Sequence, residues 1–105
     1  MKKNNSFVTF VMDQLRGVGA VSCRAMFGGH AVYCDAKVVA LICDDQLFVK
    51  PTESGREMLE NVVEKPPYPG AKPYFLIESE LEDGERLCEL IRATAEELPA
   101  PKRKV

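Results

Sequence analysis

Phe7, Phe10, Val11 and Leu15 recur at helical spacing and predict a helix over residues 7–16. Asn5 or Ser6 can cap its first turn, and Gly17 and Gly19 end it. Phe7 and Phe10 read as core anchors of that helix. The period then shortens to two. Strands are predicted near 21–26, 30–34, 37–43 and 46–50, separated by turns at Gly28–Gly29, Asp35–Ala36 and Asp44–Asp45. A second helix is predicted over 55–63, where Ser54 and Glu57 have capping-box spacing and Met58, Leu59 and Val62 form a short stripe. Pro66, Pro67, Pro69 and Gly70 exclude regular structure before a strand at 73–78. The last helix spans 81–97 and ends at Pro99. Leu87, Leu90, Ile91, Thr94 and Leu98 line its buried side, and Glu85, Glu89, Arg92, Glu96 and Glu97 its solvent side.

The order α-β-β-β-β-α-β-α predicts an α+β fold, an antiparallel sheet of about five strands flanked by helices. Two-residue hairpin turns set Cys34 opposite Lys37, Val32 opposite Val39 and His30 opposite Leu41, then Cys43 opposite Gln46 and Leu41 opposite Phe48. One face then carries His30, Val32, Val39, Leu41, Cys43 and Phe48. The other carries Ala31, Tyr33, Val38, Ala40, Ile42, Leu47 and Val49. Both are apolar, whereas a sheet wetted on one side alternates apolar with polar. The second face therefore needs a cover, from the rest of the chain or from another subunit, and a homodimer is expected.

At 105 residues the chain fits one domain, assigned to 1–101 with a basic tail at 102–105. Its 46% hydrophobic and 29% charged residues are a globular balance that excludes disorder. No apolar run is long enough to span a membrane, and the opening segment lacks a cleavage site, so a cytoplasmic protein is expected. The net charge of −2 argues against direct nucleic-acid binding, which draws on a basic stripe. Only Lys102, Arg103 and Lys104 cluster, and they read as a solvated tail. Cys23, Cys34, Cys43 and Cys88 form no CxxC pair, and the lone histidine makes a conventional zinc site unsupported. They read as free, largely buried thiols, and no cofactor is expected.

Chemistry-bearing residues concentrate at Arg24, Phe27, Gly28, Gly29 and His30. Adjacent glycines can cradle an anion with bare amides, but the run matches neither dinucleotide nor phosphate loop and leads into a strand. A tight turn is the simpler reading. His30 is the one candidate base and would need a cysteine within hydrogen-bond reach, Cys43 being on its predicted face. Arg24 is a candidate anion contact, or a salt-bridge partner of Asp35, Asp44 or Asp45. Tyr33, Phe48, Tyr68, Tyr74 and Phe75 form a candidate aromatic surface, with Lys50 beside it, better suited to protein than to nucleic acid.

The run Arg24 to Tyr33, RAMFGGHAVY, closely resembles the RRMFGG-[YF]-x-x-Y signature of the TfoX/Sxy N-terminal domain family. The likeness continues through Asp35, VVALI with Asp44 and Asp45, and LFVK ending at Lys50, and it covers almost the whole chain. Ala25 stands where the family often has a second arginine, and His30 where an aromatic is common. The resemblance implies a small α+β domain related to secretion-chaperone-like architectures. It also implies a part in regulating natural competence and transcription, through a protein partner such as the cyclic-AMP receptor protein. The family's usual C-terminal helical domain is not expected here, and the resemblance carries no catalytic residues. The expected function is thus a non-enzymatic protein-interaction domain. The alternative is a small-ligand or anion-binding domain centred on the Arg24, Gly28, Gly29 and His30 turn.

Overall fold

The computed structural model describes residues 6–26 and 28–98. Asn5, Phe27, Pro99 and the basic tail, all named above, lie outside the described residues. Helix α1 (Ser6–Gln14) is followed by a short 3-10 turn and strands β1 (Val21–Met26), β2 (Gly29–Cys34), β3 (Lys37–Cys43) and β4 (Gln46–Val49). Helix α2 (Glu53–Met58), strands β5 (Glu64–Lys65) and β6 (Tyr74–Ile77) and helix α3 (Gly84–Glu97) complete the chain. All neighbouring strands are antiparallel, in the order β1-β2-β3-β4-β6-β5. The α+β sheet is as expected, with β5 added at one edge: two residues are too short to show a period, and Pro66 and Pro67 stop them.

Helices cover one side of the sheet. Val32, Ile42, Leu47, Val49, Phe75 and Ile77 point there and pack with Val11 of α1, Leu15 just after it, and Leu87, Leu90 and Ile91 of α3. All eleven are at most 3% exposed. Burial of this kind contributes about 25 cal/mol per Å² of apolar surface and drives the fold. Phe7 packs partly against the core, but Phe10 stays 39% exposed, because Val11 and Leu15 take the inward positions.

Both β-hairpin turns have two residues, as the spacing predicts, and all four central residues adopt positive φ: Asp35 54°, Ala36 67°, Asp44 56° and Asp45 58°. This is the mirror-image turn whose twist suits adjoining strands. Ala36 gains nothing from its methyl there and bears left-handed strain. Ala36→Gly is expected to stabilise the protein by about 0.5–1 kcal/mol, read as a raised midpoint in urea at unchanged slope.

The register departs from expectation at one place. Cys34 faces Lys37 and Tyr33 faces Val38, but Val32 faces Ala40, Ala31 faces Leu41 and His30 faces Ile42. A bulge between Val32 and Tyr33 leaves Val39 as an extra residue on β3. A one-residue slip flips the pairing of sides, so the predicted faces exchange their β2 members, and Val38 and Val39 on β3 change places with them. The observed sets are Val32, Ala40, Ile42, Leu47 and Val49 against the helices, and Ala31, Tyr33, Val38, Leu41, Cys43 and Phe48 on the other side.

Helix α2 starts earlier and is shorter than the capping-box spacing implied. Thr52, not Ser54, is the cap: its hydroxyl accepts from Gly55 N–H at 2.9 Å. Glu97 is exposed, as expected, and from α3 it also accepts from the N–H groups of Glu53 and Ser54, both at 3.0 Å. The Ser54 and then the Glu53 amide hold its carboxyl below the usual carboxylate value. A pKa depressed by folding contributes stability above the unfolded value, and that contribution is lost as the pH falls through the folded one. The melting-temperature advantage of the natural chain over Glu97→Gln should therefore shrink as the pH is lowered from neutral through the acid range. At this same C-terminal end of α3, Lys37 Nζ donates to the carbonyls of Ala95 (2.6 Å) and Leu98 (3.1 Å).

Candidate interaction face

The helix-free side of the sheet gathers most of the candidate residues. Strand pairing lines up one cross-strand row: Arg24 on β1, Ala31 on β2, Leu41 on β3, Phe48 on β4 and Leu76 on β6. Ala31, Leu41, Cys43 and Phe48 form a small second core, with Tyr33, Val38, Tyr74 and Leu76 half-buried around it. Phe48 is 2% exposed although no helix among the described residues lies on this side. The proline segment turns back here: Pro66, Pro67 and Tyr68 border a shallow cleft with Asp44, Gln46 and Phe48. Pro67 is buried and Tyr68 is 49% exposed. Burial, with the neighbouring Tyr68, raises the Tyr74 phenol. The face is therefore an apolar centre with a tyrosine-rich rim, the arrangement that recurs in protein contacts.

The glycine motif divides between turn and strand. Gly28 sits in the β1–β2 turn at φ 70°, whereas Gly29 is not a turn residue as predicted. It opens β2, paired with both Met26 and Cys43. A Cβ on Gly29 would lie 2.1 Å from the Ile42 carbonyl oxygen, so glycine is required by the close approach of β3. Arg24 is exposed and makes no ion pair among the described residues, in place of the predicted bridge to Asp35, Asp44 or Asp45. Arg24 pairs with Ala31, and His30 with Ala25 and Ile42, so their side chains leave opposite sides of the sheet.

Arg24 and His30 therefore do not converge on one side of the glycine turn. The bulge likewise separates His30 from Cys43, which lies on the open face beside Gly29. Burial, and then Asp44, raises the Cys43 thiol; burial, and then Asp35, raises that of Cys34. Both are thus held as thiols rather than nucleophilic thiolates. The four cysteines are unpaired. Among the described residues no group of three or more His, Cys, Asp or Glu could hold a metal, and no helix is long and apolar enough to cross a membrane. A second concavity between α1 and α3 is lined by Asp13, Arg16, Cys88, Glu89 and Arg92. Four of these groups have partners: Arg16 pairs with Asp13 at 3.1 Å, Cys88 donates to the Gln14 carbonyl and Arg92 to that of Gly17.

Of the sequence candidates, Arg24, Tyr33 and Phe48 meet on the open face, and Lys50 follows β4 directly, its N–H bonded to the Val39 carbonyl. His30 does not join them, and Phe75 points into the main core. Val38 and Leu41, placed on opposite faces from sequence, share this one, and Leu76 was not singled out, although the alternation Tyr74, Leu76 against Phe75, Ile77 carries the signal for β6.

The described residues thus form an antiparallel sheet with helices on one side and an apolar cluster on the other. The chain belongs to the TfoX N-terminal domain family, whose model matches residues 13–98. This is a family of regulatory, non-catalytic domains. The chain is also similar to a Spirochaeta aurantia protein described as an "Uncharacterized 12.7 kDa protein in trpE 5'region". The two are 43% identical over 102 residues, which cover 97% of this chain and 89% of the relative.

Proposed function

We propose that this chain is a cytoplasmic protein-interaction domain, of secretion-chaperone-like architecture, that self-associates and assists a transcription regulator through its open sheet face. The observation that carries the reading is the second apolar cluster, Ala31, Leu41, Cys43 and Phe48, rimmed by half-buried Tyr33, Val38, Tyr74 and Leu76. Family membership supports the regulatory part of the reading. The net charge of −2 supports a protein partner over DNA, since phosphate contact needs local positive charge.

The test is a calorimetric titration with the purified cyclic-AMP receptor protein of the same organism, the partner class suggested by the family. Tyr33→Asp places a charge on the rim, where desolvating it on association is unfavourable. The natural chain should bind, and a folded Tyr33→Asp variant should lose roughly tenfold or more in affinity. Binding that is equal in the two would refute the open face as the contact surface.

A further inference from the structure

The two edges of the sheet are unequal. At one, β5 has only two residues and runs into Pro66 and Pro67, both devices that blunt an edge. At the other, β1 is six residues long, VSCRAM, without proline and with Arg24 as its one charge. No strand among the described residues pairs with its outer side.

Hydrogen-bond alternation shows what that edge offers. Asp35 N–H donates to the Ala20 carbonyl at 3.1 Å, so Ala20 directs its main chain towards β2. In an antiparallel ladder the direction alternates, so Ser22, Arg24 and Met26 bond β2 while Val21, Cys23 and Ala25 turn outward. Val21 N–H is taken by the Gly19 carbonyl at 2.7 Å. That leaves the Val21 carbonyl and both main-chain groups of Cys23 and Ala25 as an unfilled half-ladder.

Taking self-association from the reading above, we infer that β1 pairs antiparallel with β1 of a second copy, about a two-fold axis through Cys23. Such an axis keeps each side of the sheet continuous, because residues that face each other then share a side. Cys23 meets Cys23 of the second copy, Val21 meets Ala25 and Ser22 meets Arg24. Cys23 then exchanges both bonds with Cys23 of the second copy, each Ala25 N–H meets a Val21 carbonyl, and no like charges are opposed. An axis through Arg24 would pair Cys23 with Ala25 of the second copy but set two guanidinium groups face to face, which is disfavoured. Helix α1 packs against β1 on the helix side and leaves Phe10 39% exposed, an apolar neighbour for the second copy. The open faces of the two copies join into one doubled surface for a partner.

Ala25→Pro tests the edge, since it removes an outward N–H that β2 does not use. Light scattering at high micromolar concentration should give twice the 11.7 kDa of one chain for the natural protein. The variant should keep its circular dichroism and show a dimer dissociation constant raised roughly tenfold or more. A natural chain of single mass at every concentration would overturn both the edge pairing and the self-association reading. A folded variant that stays dimeric overturns the edge alone. Should the variant fail to fold, brief oxidation of the natural chain by copper phenanthroline decides. Paired Cys23 residues would sit about 5.5 Å apart at Cα, within the range a disulfide spans. A dimer linked Cys23 to Cys23 in the peptide map, absent in Cys23→Ser, is expected. A map without that link overturns the pairing. Slow exchange of the Cys23 and Ala25 amides at single-chain mass assigns the edge to another segment of the same chain, and overturns it too.

Discussion

Gly29→Ala is expected to lower stability by about 3 kcal/mol or more, a large share of what a domain this size holds. The added methyl would stand 2.1 Å from the Ile42 carbonyl oxygen and 3.2 Å from Cys43 Sγ. The obstacle is backbone in the middle of the sheet, which cannot swing aside like the end of a flexible side chain. β2 would have to part from β3 where Gly29 pairs with Cys43. For a chain of this length such a loss lowers the melting temperature by roughly 12–20 °C. The neighbouring Gly28 is a contrast: its φ of 70° is strained for other residues, but a Cβ there meets nothing within 4 Å. A melting temperature within two or three degrees of the parent for Gly29→Ala would contradict the close approach of β3.

The second large effect is expected at Phe48→Ala, about 3–5 kcal/mol, as for truncation of a buried aromatic. Phe48 is on the side of the sheet without helices, where a solvated residue would cost well under 1 kcal/mol. Its 2% exposure instead places it among Leu41, Leu76, Tyr74 and the returning proline segment. Urea unfolding followed by circular dichroism measures the difference. A cost below about 1 kcal/mol would mean that the open face is ordinary surface rather than a second core.

What could be read along the chain, and what could not, divides by the distance over which the causes act. The hairpin turns Asp35–Ala36 and Asp44–Asp45 are local, and the patterns around them set two-residue lengths that the structure keeps. The stripe of α3 is also local: Leu87, Leu90, Ile91 and Thr94 are buried as its periodicity requires. The bulge at Val32 and Tyr33 is not written in the alternation, because β-branched and small apolar residues on both sides make either register look equally good. Its consequence is large, since it parts His30 from Cys43 and Leu41. The cap of α2 was missed for a similar reason. Ser54 and Glu57 spell a plausible box, but Glu97, distant in sequence, takes the Ser54 amide. At the candidate site Arg24, Tyr33 and Phe48 could be chosen from residue type alone. That they share a face with Leu76 and the Pro67 loop depends on β6 pairing with β4 across an intervening helix and loop.

Hydroxyl-radical labelling of the side chains, with and without the regulator partner, tests the binding surface most directly. Tyr33, Tyr74 and Leu76 should label several-fold more slowly in the complex while Phe10, on the helix side, keeps its rate. Unchanged labelling of those three residues, with protection confined to the helix side, would contradict the assignment of the open sheet face as the place where the partner binds.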